Sequence, residues 1–136
     1  MLVSIRSAAL LTSVVALTLT GCASVDERGD AAVSVAVKLL SAVRGQDGGS
    51  ACAVLAPDTA SELEKSAGKP CAEAILDEDL PAPGSVLGTD VYGQWARVRL
   101  SDDTLFLGAF PGGWRVVAAG CTARGEKPYD CMLQGG

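Results

Sequence analysis

The sequence predicts an α+β domain, with N-terminal helices packed on a curved antiparallel sheet of about four strands. Apolar residues recur with helical period over residues 30–44. By contrast, Trp95-Ala96-Arg97-Val98-Arg99-Leu100 alternates with the period of two that a half-buried strand requires. Gly and Pro clusters divide the first half into helical pieces and the second half into strand-length ones. Helices first and a meander afterwards is the α+β order.

Each element has its own signal. Between Asp30 and Arg44, Val33, Val37, Leu40 and Val43 share one helix face, with Ala36 beside them. Asp30 is the expected N-cap and Gly45 the expected stop. A loop follows, Gly45 to Gly49, and Ser50 can cap a short helix over Ala51 to Leu55 that Pro57 ends. Thr59 and Glu62 have capping-box spacing and open a helix to Ala67, which Gly68 terminates. Pro70 to Leu76 reads as one more short helix. Asp77 to Gly84, acidic and then Pro-rich, is the linker to the β half. Its three carboxylates suit a solvated loop better than a pocket rim, because charge runs sit in water. The expected strands are Val86 to Tyr92, Trp95 to Leu100, Thr104 to Phe110 and Trp114 to Ala119. Ser101-Asp102-Asp103 and Pro111-Gly112-Gly113 supply turns between them.

The first 21 residues have a separate character. Met1 to Arg6 carries one positive side chain, and Ala8 to Leu19 is apolar apart from Thr12, Ser13 and Thr18. A bilayer-spanning helix needs roughly 20 apolar residues. This run is shorter and ends in small residues, as an export signal does. Leu19-Thr20-Gly21-Cys22 then resembles the bacterial lipobox: an aliphatic residue, two small ones and a cysteine. Small residues let the backbone enter the processing sites, and the thiolate is the nucleophile that takes diacylglycerol. The resemblance implies a signal peptide over 1–21, cleavage before Cys22, and a lipid-bearing N-terminus at the outer face of the cytoplasmic membrane. Residues 22–30 are expected to be a short tether and 31–136 a single domain.

Composition narrows the function classes. Removing Arg6 leaves 10 basic residues against 16 acidic ones, a net charge of −6. That balance argues against a phosphate-binding surface for nucleic acid and against a polybasic membrane patch. The chain contains no His. Ser–His–Asp and Cys–His sites are therefore impossible within it, and the commonest metal ligand is absent. There is also no Asn, hence no N-glycosylation sequon. A Ser–Lys dyad at Lys65 and Ser66 would fall on an exposed helix end. The run Asp77, Glu78 and Asp79 offers paired carboxylates, but no rigid element there fixes their separation. No Gly-rich phosphate loop opens a helix after a strand. The expectation is a non-catalytic protein with no cofactor and no metal.

Four cysteines remain after Cys22: Cys52, Cys71, Cys121 and Cys131. An even set in an exported chain reads as disulfides. Three pairings are open, and Cys52–Cys71 with Cys121–Cys131 is favoured. The first would tie one short helix to another, and the second would close a loop over Thr122 to Asp130. The absence of Cys-x-x-Cys and of His argues against a metal or redox site.

A long amphipathic helix, short cysteine-bearing helices and a sheet ending in Gly113-Trp114-Arg115-Val116-Val117-Ala118-Ala119-Gly120-Cys121 together resemble the cystatin-like cone of the nuclear-transport-factor-two superfamily. Small actinobacterial lipoproteins with a Gly-Trp-Arg-Val ending and paired cysteines are similar. The resemblance implies helices laid across the concave face of the sheet, with space for a pocket between them. On the strand Trp95 to Leu100, Trp95, Arg97 and Arg99 share the face opposite Ala96, Val98 and Leu100. One reading is a solvated face with Trp95 partly covered by the Arg stems. The sharper one is a partner-binding patch, because Trp and Arg are frequent interface anchors. The leading functional expectation is a monomeric, lipid-anchored envelope module that binds a protein or the cell wall. The alternative is a carrier that holds a small apolar ligand in the cone.

Overall fold

Ser24, not Asp30, starts the first helix. The Ser24 hydroxyl accepts from the Glu27 amide at 3.1 Å, and the Glu27 carboxylate accepts from the Ser24 amide at 2.9 Å. This reciprocal capping box satisfies two helix-end donors and places two acidic residues in the positive first turn. The computed structural model describes residues 24–135. The export signal over 1–21 and the lipidation at Cys22 lie outside the described residues. Most of the expected tether 22–30 is instead helical: α1 runs from Val25 to Arg44.

Three short helices follow, α2 (Gly48–Ala53), α3 (Pro57–Ala67) and α4 (Cys71–Asp77). Asp47 caps α2 through its carboxylate, which accepts from the Ser50 amide; Ser50 itself is the receiver of the cap. Pro57 does not merely stop the preceding segment. It occupies the first turn of α3, where its missing N–H costs nothing. Thr59 is therefore inside α3, not its cap. It is fully buried and its hydroxyl donates to the Val117 carbonyl at 2.9 Å. Gly68 ends α3 in the left-handed conformation.

The sheet has five strands, one more than expected: β1 (Val86–Tyr92), β2 (Trp95–Leu100), β3 (Thr104–Phe110), β4 (Gly113–Arg124) and β5 (Lys127–Gln134). All neighbours are antiparallel, in the order β1-β2-β3-β4-β5. The extra strand is the segment expected to be a loop between Cys121 and Cys131. Those cysteines stand directly opposite each other in the β4–β5 hairpin, and their disulfide joins two strands. The other disulfide, Cys52–Cys71, links α2 to the first residue of α4. Ahead of the stretch that β5 covers, Leu55 pairs in parallel with Val116 of β4. The Val116 amide donates to Val54 and the Ala56 amide donates to the Val116 carbonyl, both at 2.8 Å.

The core lies between the helices and one face of the sheet. Ala32, Ala36, Leu39 and Leu40 of α1 meet Ala96 and Val98 of β2, Leu105 and Leu107 of β3, and Val116 and Ala119 of β4. The α1 face is rotated from the expected one, since Val33 and Val37 are only half-buried while Ala32 and Leu39 are fully enclosed. Small alanines let the helix axis approach the sheet, and the valines flank that contact. Among the largest fully buried side chains there is no aromatic ring.

Candidate functional site

Strict alternation in β2 buries Ala96, Val98 and Leu100 and turns Trp95, Arg97 and Arg99 outward, as the sequence predicts. Trp95 is 50% exposed. The structure places all three on the sheet face away from the helices and surrounds them with residues the sequence does not single out. Asp90 of β1 pairs with Arg97 in the antiparallel register. Its carboxylate accepts from Arg97 Nη2 at 2.7 Å and Nε at 3.1 Å, and lies 3.7 Å from Arg99 Nε. Hydrogen bonding from Arg97, with the positive charge of both guanidiniums, holds the Asp90 carboxyl below its ordinary range. Arg97 in turn is held charged, first by its hydrogen bond to Asp90 and also by Tyr129.

Two guanidiniums share one carboxylate, so this part of an acidic protein keeps one surplus positive charge. Arg99 Nε is buried and finds no hydrogen-bond partner among the described residues. Gly88 faces Arg99 across the β1–β2 pair. A Cβ at 88 would come within 2.6 Å of Arg99 Nη2, so the absence of a side chain there is what lets the guanidinium lie against the strand.

Aromatic rings surround this charged cluster. Phe106 of β3 pairs with Arg97 and meets Tyr129 of β5 edge-on, with centroids 5.0 Å apart. Trp95 pairs with Gly108, and Trp95 and Phe110 converge over that glycine. A Cβ at 108 would lie 3.6 Å from Trp95 Cζ3 and 3.0 Å from Phe110 Cε2. Tyr92 stands opposite Trp95 at the β1–β2 turn and is 52% exposed. The chain has six Phe, Trp and Tyr residues. Trp114 alone among them packs against the core cluster, with the Arg28 guanidinium 5.2 Å over its ring. The other five rings sit on the outer face or at its turns. Phe106 and Phe110 escape a sequence reading because Thr104 to Phe110 is nearly all apolar and does not show which side faces inward. Tyr129 escapes because its strand reads as a loop.

The weaker catalytic candidates stay apart. Lys65 pairs with Glu62 at 2.8 Å, while the Ser66 hydroxyl donates to the Leu63 carbonyl at 3.1 Å. Asp77 pairs with Lys69 at the end of α4. One buried carboxylate went unrecognised in the sequence. Asp103, only 6% exposed, accepts from the amides of Thr104 at 2.7 Å and of Gly120 and Cys121 at 3.0 Å. Burial raises its pKa even though those three N–H groups oppose the shift. It holds β4 where Gly120 takes a left-handed φ of 65°. Among the described residues, no group of three or more His, Cys, Asp or Glu is placed to hold a metal ion. Among the same residues, no helix is long and apolar enough to cross a membrane.

A carrier needs roughly 300 Å³ of enclosed pocket. Core side chains occupy the space between helices and sheet. A depression of about 280 Å³ lies between Val25, Gly29 and Asp30 of α1 and Thr89 and Val91 of β1, and one of about 200 Å³ lies between α3 and β5; both are open to solvent. No protein-family model, curated protein or solved structure matches this chain.

Proposed function

We propose that the chain is a lipid-anchored, non-catalytic module of the bacterial envelope. In this reading Cys22 carries diacylglycerol at the outer face of the cytoplasmic membrane, and the outer sheet face docks a protein or cell-wall partner. The domain acts as a monomer of cystatin-like cone type, without nucleic acid, metal or cofactor. The observation that carries the reading is the placement of aromatic rings. A domain with an aliphatic core has no packing reason to leave five rings outside it. Rings beside a partly unpaired guanidinium are the composition of interface anchors. The surplus charge at Arg97 and Arg99 selects a partner that offers a carboxylate or other strong acceptor.

The test is a photo-crosslinking amino acid placed at Thr104, which pairs with Arg99 and is half-exposed. In intact envelopes it is expected to give one discrete adduct, lost in Arg97→Ser/Arg99→Ser. Both arginines lie opposite the core, so that variant keeps its fold and disulfides. A diffuse ladder of adducts, or the same adduct in the variant, would remove this face from consideration.

A further inference from the structure

We infer that one end of the sheet, formed by Tyr92, Trp95 and Phe110, seats in the lipid–water interface and sets the orientation of the domain on the membrane. The inference rests on the proposed lipid anchor at Cys22 and adds to it a second contact surface. Two independent features of the fold bring the start of α1 and these rings to the same end of the sheet. The first is α1. Arg28 Nη2 donates to the carbonyl of Gly93, in the β1–β2 turn, at 2.6 Å, and its guanidinium lies over Trp114 near the start of β4. Gly29 packs beside Thr89 and Val91. The N-terminus of the helix is thus fixed at the turn end of the sheet. Ser24 caps that helix, and covalent geometry keeps the Cα of Cys22 within about 8 Å of Ser24.

The second feature is strand register. Tyr92 pairs with Trp95, Trp95 with Gly108, and Phe110 with Gly113. The β1–β2 and β3–β4 turns therefore lie at the same end, and that is the end where α1 begins. Tyr92 and Trp95 are half exposed, and Val25 in the first turn of α1 is 64% exposed. Rings with an apolar body and a polar tip favour the headgroup level of a bilayer. Charge does not drive the contact: Asp26, Glu27 and Asp30 are exposed on the same end of α1, and Arg28 is engaged by Gly93 and Trp114. The occupant is a lipid surface recognised through its interface rather than its anionic headgroups. Such seating leaves Arg97, Arg99, Phe106 and Tyr129 further from the bilayer, with Trp95 at the boundary of the two surfaces.

The experiment uses the full chain, purified from membranes and reconstituted in phosphatidylcholine vesicles, with and without phosphatidylglycerol. Mass spectrometry of the N-terminal peptide first reads whether Cys22 bears lipid. Trp114→Phe leaves Trp95 as the sole tryptophan, and Trp95→Phe leaves Trp114. Lipids brominated near the headgroup end of the acyl chain should quench Trp95 and shift its emission to the blue. Tyr92→Ser/Phe110→Ser should reduce the quenching of Trp95, and phosphatidylglycerol should not increase it. If Trp114→Phe does not fold, the difference between wild type and Trp95→Phe reads the same quantity. A lipidated protein in which Trp95 is neither quenched nor shifted to the blue overturns the orientation and leaves the anchor standing. So does quenching of Trp95 that Tyr92→Ser/Phe110→Ser does not alter. An unmodified Cys22 overturns the anchor and the orientation together.

Discussion

Removing the Asp103 carboxylate is expected to destabilise the fold more than any single change on the outer face. Its two oxygens accept three backbone N–H groups, from Thr104, Gly120 and Cys121. A hydrogen bond to a charged group contributes about 1.5–3 kcal/mol. For the charged form burial outweighs these bonds, as the direction of its pKa shift indicates, so the cost of truncation lies in the amides left without a partner. Asp103→Ala should therefore cost about 3 kcal/mol, since an amide left buried without a partner itself costs about 1–3 kcal/mol. Asp103→Asn should cost about half as much. Its carbonyl can replace the oxygen that serves Thr104 and Cys121, while its amide faces the Gly120 N–H as donor against donor. Urea unfolding of the disulfide-intact protein measures both. A loss below about 1 kcal/mol in Asp103→Ala would refute the reasoning. The pH dependence gives an independent sign. Because burial raises the folded pKa above 3.8, the folded state binds this proton at a higher pH than the unfolded state. The contribution of this group is greatest below pH 3.8 and is lost as pH rises through the raised folded value. The stability difference between wild type and Asp103→Asn should accordingly grow on acidification through that window.

Gly48→Ala should destabilise strongly, because the new Cβ would collide with the backbone carbonyl of Ala72 where α2 meets α4; a melting temperature within a degree or two of wild type would show that the helices can part without cost. Chain entropy assigns about 3 kcal/mol to each disulfide. Cys52→Ser/Cys71→Ser should lose more than Cys121→Ser/Cys131→Ser in urea unfolding, because the first bridge closes the longer loop in the unfolded chain, with a sequence separation of 19 against 10. Asp90 should titrate below 3.8 by carboxyl-detected NMR, and Arg97→Ser should raise that midpoint. The stability this group contributes is present above 3.8 and lost as pH falls through its lowered folded value.

Sequence pattern made the β half legible wherever one face is buried and the other is wet. The bounds of β2 follow from strict alternation between Arg and apolar residues, and the turns after β2 and β3 follow from Asp, Pro and Gly. The same logic fails at β5. Lys127 to Gln134 buries only Leu133 fully and lies at the sheet edge, so its composition is that of a loop. Its strand character comes from pairing with β4. A signal was available at the start of α1, because Ser24-Val25-Asp26-Glu27 is a capping-box pattern. Asp30 competed with it as a capping residue, although it lies one turn inside the helix. The exposed face of Trp95, Arg97 and Arg99 was readable from parity alone. Asp90, Phe106 and Tyr129 were not, because only strand register brings them to the same place. Asp103 has the composition of a turn residue, and its burial depends on a bend in β4 that no local pattern announces.

Mass spectrometry of the mature protein from the envelope tests the proposed lipid on Cys22 most directly. The expected result is a chain that begins at Cys22, with diacylglycerol on its sulfur and both disulfides intact. A mature N-terminus at any other residue, or a Cys22 thiol without lipid, would contradict it.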